Sequence, residues 1–196
     1  QGNYITKLNS DGTAEFNFTG EDFTVEFWMN LNGSNHSNSP VIMGGQQGWY
    51  VQLKNTDSRI TFYDNSTEHE ADVTLDNNAW YHVAVTRSGS TLRTFLNGTE
   101  VYSGTSSTSA GRLYNSDFII ASYSTHPQLA YNGFLSDIRV VKGTALYTES
   151  FTPPTERLTE VAGTSLLTCN KPYLQSGLTI TGDVPMVAKG PYDYVG

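Results

Sequence analysis

A chain of 196 residues, 37% hydrophobic and only 15% charged, carries enough apolar material for one domain with a sizeable core and is not a charged disordered chain. No apolar run reaches the length of a membrane span, so membrane insertion is not expected. The net charge of −8, with eleven Lys and Arg scattered along the chain, argues against a nucleic-acid surface, which needs clustered basic residues.

Strand signals then follow one another along the chain. Residues 22–31, DFTVEFWMNL, alternate cleanly, with Phe23, Val25, Phe27, Met29 and Leu31 on one face and Thr24, Glu26, Trp28 and Asn30 on the other. After the polar loop NGSNHSN come PVIMG and GWYVQLKN, where Trp49, Val51 and Leu53 oppose Tyr50 and Gln52. RITFYD and ADVTL are the next candidates. WYHVAVTR and TLRTFLNG form a predicted hairpin across Ser88, Gly89 and Ser90. EVYSG, DFIIAS, residues 133–141, TSLLTC and GLTIT complete the set. In 133–141, Phe134, Ser136, Ile138 and Val140 share one face, and Leu135, Asp137, Arg139 and Val141 the other. Helical periodicity supports at most one turn, near Ala145 to Glu149.

Many short strands, each with one apolar and one mixed face, predict two antiparallel sheets around a single core. The expected organisation is an all-β domain over residues 1–181. A C-terminal edge strand and exit tail over 182–196, broken by Pro185 and Pro191, would follow. Cys169, the only cysteine, reads as a small buried hydrophobe at a strand end rather than a nucleophile. The opening Gln1, Gly2, Asn3 and Tyr4 is already strand-like, which reads as an excised piece of something longer.

Particular wordings add to this pattern. GEDFTVEFWMN, the hairpin NNAWYHVAVTRSGSTLRTFLNGTEV, SDFIIAS and GFLSDIRVVKG occur in an order and spacing that resembles laminin-G-like modules of the concanavalin A-like lectin/glucanase superfamily. The continuation KGTALYTESFTPPTERLT and the ending GTSLLTCN are similar to the variant of that module found in bacteriophage virion and marine metagenomic proteins. The resemblance implies a jelly-roll β-sandwich of two curved antiparallel sheets. It also implies a binding or structural module more often than an enzyme.

Three chemistries can be weighed on the residues. Glucanases of the superfamily carry carboxylates at alternate strand positions, and Glu68, Glu70 and Asp72 have that alternation. Their order differs from the glucanase pattern and no aromatic residue interrupts them, so a solvated edge-strand face is the plainer reading and no catalytic residue is assigned. His82 reads as a packed strand position. No cofactor is required, although the resemblance makes structural Ca2+ an option. The family's last-strand motif often has two adjacent acids, where this chain has Ser136 and Asp137. With one carboxylate missing, a plain pairing of Asp137 with Arg139 is the preferred reading and Asp137 the leading candidate metal ligand, with Asp57, Asp64 and Asp117 as alternative loop ligands that nothing singles out.

Glycan binding needs an aromatic platform beside amide, hydroxyl and carboxylate groups. Trp49 and Tyr50, after the loop GGQQG, are the leading candidates, followed by Tyr63, Tyr123, His126 and Tyr131. Trp49 and Tyr123 serve equally well on paper as platform or as packing. The expected function is a non-catalytic module binding carbohydrate or a host cell-surface polysaccharide, within a phage-like structural protein. Neighbouring domains or virion proteins would be its other partners, and its setting virion or extracellular. The alternatives are an architectural module that contacts only protein and, more distantly, a glycoside hydrolase.

Overall fold

The computed structural model describes residues 3–7, 14–33, 39–45, 47–54, 59–107, 111, 113, 117–123, 129–171, 173–174, 177–185 and 190–192. Among the described residues, thirteen strands build two sheets. The first has the order β13-β1-β10-β3-β4-β5-β6, with β1 Tyr4–Lys7, β3 Val41–Gly44, β4 Tyr50–Lys54, β5 Arg59–Tyr63, β6 Glu68–Asp72, β10 Phe118–Ile120 and β13 Thr179–Thr181. The second has the order β12-β11-β2-β7-β8-β9, with β2 Phe23–Leu31, β7 Trp80–Ser88, β8 Thr91–Leu96, β9 Thr99–Thr105, β11 Gly133–Lys142 and β12 Thr164–Thr168. Neighbouring strands pair antiparallel throughout. The fold is the all-β jelly-roll sandwich that the alternation and the family wording implied.

Between the sheets lie the apolar faces. Phe23, Val25, Phe27, Met29 and Leu31 of β2 meet Val51, Leu53, Ile60 and Phe62 from the other sheet, all fully buried. An aromatic stack joins the layers: Phe18 lies 4.9 Å from Phe23 and 5.3 Å from Trp49, and Trp49 lies 5.8 Å from Phe62. At one open side of the sandwich, edge strands β6 and β9 are tied by a hydrogen-bonded chain. His69 bonds Asp64 at 2.9 Å and the Tyr102 hydroxyl at 3.0 Å. Asp64 also accepts the amides of Ser66 and Thr67 at 2.9 and 2.8 Å. Burial opposes the charge on Asp64, but these bonds outweigh it and hold its carboxyl below the usual range.

Residues 143–163 are the least sequence-like part of the fold. No helical turn forms at 145–149; instead this segment lies across the outer face of the six-stranded sheet as a strap. Thr24 Oγ1 donates to Thr144 O at 2.9 Å and accepts Leu146 N at 2.8 Å, while Thr86 Oγ1 donates to Tyr147 O at 2.8 Å. Tyr147 and Phe151 stack 3.6 Å apart, and Phe151 packs edge-on to His82 and Phe95. Phe151 N donates to Gly98 O at 2.8 Å, where a Cβ on Gly98 would stand 1.9 Å from Phe151 O. The strap thus reaches β9 and returns to β11 before β12 begins.

Beneath it lies a fully buried carboxylate. Glu26 Oε1 accepts Arg139 Nε and Nη2 at 2.8 and 2.6 Å, and Oε2 accepts the Tyr147 hydroxyl at 3.0 Å and bonds His82 Nε2 at 3.1 Å. Arg139 Nη1 continues to Thr159 O in the strap at 2.7 Å. His82 is packed, as its strand position implied, and Arg139 is committed to Glu26 rather than to Asp137.

Asp137 explains the difference. The register of β11 on β2 shifts between Ser136 and Arg139, so two residues oppose Phe27 alone. Asp137 takes the left-handed φ of 49° that the bulge demands, a conformation a short polar side chain tolerates better than most. Leu135, Ile138 and Val140 therefore all contribute to the core, which unbroken alternation could not achieve. The Asp137 carboxylate is fully buried, accepting Leu158 N at 2.7 Å and the Ser136 hydroxyl at 2.7 Å. Replacing it with Ala should cost about 2–4 kcal/mol, by stranding the Leu158 amide and straining the backbone. Asp137→Asn should recover most of that; urea unfolding of both variants checks the order.

β13 forms within the predicted run GLTIT and pairs Tyr4 with Thr181. Of the segment beyond it, residues 182–185 and 190–192 are described and form no strand. Tyr192 instead packs edge-on to Trp28 at 5.9 Å.

Candidate functional site

The strap covers one outer face, which directs attention to the outer face of the seven-stranded sheet. Val51 and Leu53 of β4 and Ile60 and Phe62 of β5 point into the core, so Tyr50, Gln52 and Lys54 and then Arg59, Thr61 and Tyr63 point outward. On β6, His69 turns inward and Glu68, Glu70 and Asp72 outward. The pairing lines these side chains into rows: Tyr50, Tyr63, Glu68; then Gln52, Thr61, Glu70; then Lys54, Arg59, Asp72.

Tyr50 and Tyr63 stack with ring centroids 4.9 Å apart and planes 26° apart. Tyr123 reaches the same place after a left-handed turn at Ala121, φ 68°, and meets Tyr50 edge-on at 5.8 Å. All three are half-buried. Burial, then the charge of Glu68, pushes the Tyr50 hydroxyl up to about 12, and burial raises that of Tyr123. Both phenols are therefore protonated donors at neutral pH. Thr61 Oγ1 and Ser122 Oγ, buried in this region, have no hydrogen-bond partner. The three half-buried tyrosines and the exposed Glu68 carboxylate thus occur on one surface, while Gln52 and Thr61 are buried; aromatic rings beside hydrogen-bonding groups are what polar, hydroxyl-rich ligands require.

The alternating carboxylates lie on an edge strand, and each is held by a cation. Lys54 Nζ reaches Glu68 at 2.5 Å and Glu70 at 3.2 Å; Arg59 reaches Glu70 at 2.6 Å and Asp72 at 2.8 Å. This is an ion-paired strip. A hydrolytic pair would present two carboxylates to opposite sides of a sugar.

Three of the six candidate ligand-binding residues, Tyr50, Tyr63 and Tyr123, are thus brought together, and two others are corrected. Trp49 is fully buried, stacked among Phe18, Phe62 and Phe118, with Nε1 donating to Phe16 O at 2.8 Å. Val51 and Leu53 share its parity, and that parity faces the core. Tyr131 is also buried, its hydroxyl donating to Asn30 O at 2.8 Å. His126 lies outside the described residues. Asp137 does not fit a calcium ligand, because its carboxylate is spent on protein donors and Arg157 stands 3.7 Å away. Among the described residues no group of three or more His, Cys, Asp or Glu is placed to hold a metal.

Sequence reading passed over Gln52, Thr61 and Glu68 as members of this face. The period-two parity placed Gln52 beside Tyr50, but only the β4–β5–β6 register brings Thr61 and Glu68 alongside.

Comparison with known proteins agrees with the architecture. A protein from Bacteroides ovatus named as a candidate carbohydrate-binding protein superposes with a TM-score of 0.65 at 19% identity, over 86% of this chain and 49% of that one. The chain thus spans about half the length of the Bacteroides protein. The receptor-binding domain of a botulinum neurotoxin C/D mosaic gives 0.52 at 15% identity, over 76% and 37%. Domain 4 of the arabinanase AbnA from Geobacillus stearothermophilus, solved with arabinotriose, gives 0.50 at 15% identity, over 63% and 61%. At these identities the likeness is one of fold. A search of curated proteins found no match. Residues 4–149 match the family model described as concanavalin A-like lectin/glucanases superfamily, laminin-G type, and the chain belongs to that superfamily.

Proposed function

We propose that the chain is a non-catalytic carbohydrate-binding module whose ligand lies against Tyr50, Tyr63 and Tyr123. The observation that carries this reading is the half-buried Tyr50–Tyr63 stack on the outer face of the seven-stranded sheet, opposite the face that the strap covers. A sugar ring offers C–H groups to aromatic rings and hydroxyls to phenol and carboxylate groups, and Tyr50, Tyr63, Tyr123 and Glu68 bring these together. The names of the Bacteroides protein and of the arabinotriose-bound AbnA domain point in the same direction. The wording of residues 142–159 supports a phage-like structural protein as the parent. In that setting, virion or extracellular, the ligand would be a host cell-surface polysaccharide, and neighbouring virion proteins would be further partners.

A glycan array followed by titration tests the reading. Tyr50→Ala and Tyr63→Ala should each weaken binding about three- to tenfold, since an aromatic stack contributes about 0.5–1.5 kcal/mol beyond area burial. Circular dichroism should show the fold retained. Absence of binding at millimolar sugar would leave the architectural, protein-contacting role as the better account.

A further inference from the structure

Building on the glycan-binding reading, we infer that this face selects uncharged glycans and discriminates against those bearing carboxylates. The reason lies in the arrangement of charge around the tyrosines. Three carboxylates, Glu68, Glu70 and Asp72, share two cations, Lys54 and Arg59, and each cation already bridges two of the acids. The strip carries one net negative charge and offers no unpaired cation to a ligand carboxylate. A uronate or sialate would have to break an existing pair to be received.

Position sharpens the effect. Glu68 is the strip's member in the tyrosine row, directly across from Tyr63, and its side chain is 41% exposed. A sugar lying on the Tyr50–Tyr63 stack would meet this carboxylate as a hydroxyl acceptor, which suits a neutral sugar and repels an acidic one. Asp72 lies four residues further along β6, about 13 Å away. That exceeds the screening length of about 8 Å at physiological salt. The tyrosines add hydroxyl donors without positive charge.

The test compares matched probes at about 0.15 M salt: neutral oligosaccharides and the same oligosaccharides extended by a uronate or sialate. For any neutral probe that binds, its carboxylated counterpart should bind about three- to tenfold more weakly, the scale of one screened like-charge contact. Glu68→Gln should bring that ratio close to one, whereas Asp72→Asn should leave it nearly unchanged. Equal effects of the two substitutions would assign the discrimination to overall charge and overturn the inference. Equal or tighter binding of the acidic probes, lost in Tyr50→Ala, would also overturn it while leaving the glycan site standing. Binding of neither class, or binding indifferent to Tyr50→Ala, would remove the underlying reading and the selectivity with it.

Discussion

Glu26→Ala should lower the stability of the domain by about 3–5 kcal/mol. The loss comes from what remains behind, because Arg139, His82 and Tyr147 all direct polar atoms at this one carboxylate under the strap. Removing it leaves a buried guanidinium without its counter-charge, Nη1 still donating to Thr159 O, and a buried imidazole whose Nδ1 already lacks a partner. The damage should extend through the strap, since Tyr147 and Thr159 anchor it at two separate points, through Glu26 and Arg139. Limited proteolysis within residues 143–163 should therefore accelerate along with the fall in urea midpoint. Glu26→Gln keeps the shape and two polar atoms, and should cost less than half as much. A replacement as mild as a surface substitution, within about 0.5 kcal/mol, would contradict the role assigned to this network.

The same group fixes a pH dependence. Burial opposes the charge on Glu26, but the His82 hydrogen bond and the Arg139 guanidinium overcome it, and the folded carboxyl lies below its ordinary 4.5. A group depressed on folding contributes stability that is complete above the unfolded value and disappears as pH falls through the folded one. Asp64, lowered from 3.8, adds in the same direction. Wild-type stability should therefore decline below about pH 4.5. The Glu26→Gln curve should be flatter in that window, with the share due to Asp64 remaining; thermal unfolding between pH 3 and 7 would show it.

How far the sequence revealed this molecule depends on the element. β2 and the β7–β8 hairpin were legible because a half-buried strand writes its geometry as a period of two. β11 was legible only to Ser136, since a bulge inserts a residue without any change in composition. Asp137 has the chemistry of a turn residue but stands inside an apolar run. The strap carries recognisable wording but no local pattern that reveals its path. Its contacts to Thr24, Thr86, Gly98 and Asp137 join residues far apart in the chain, and no local pattern encodes them. For the site, alternation placed Tyr50 outward, and the same alternation placed Trp49 inward with Val51 and Leu53. The glycine-rich loop GGQQG before Trp49 and Tyr50 makes both aromatics look like loop-borne platforms, although their opposite parity separates them. The convergence of Tyr63, Tyr123 and Glu68 depends on strand register and on the turn at Ala121, which sequence does not display.

Trp49 and Tyr50 therefore make the sharpest pair of neighbouring substitutions. Trp49→Ala should cost about 3–5 kcal/mol, the scale of emptying a large aromatic site in a close-packed core. The indole is fully buried and stacks on Phe18 and Phe62, so its loss removes the centre of the stack that joins the two sheets. Trp49→Phe keeps most of the ring packing but leaves Phe16 O without the Nε1 donor, and should fall between, at about 1–3 kcal/mol. Tyr50→Ala, one residue away on the opposite face, should cost less stability than Trp49→Ala and far more glycan affinity. Any affinity lost in Trp49→Phe should follow the loss of folded protein and vanish when binding is referred to the folded fraction. If Trp49→Phe instead bound glycan more weakly at full foldedness, the inward parity assigned to β4 would be wrong, and with it the platform of Tyr50 and Tyr63.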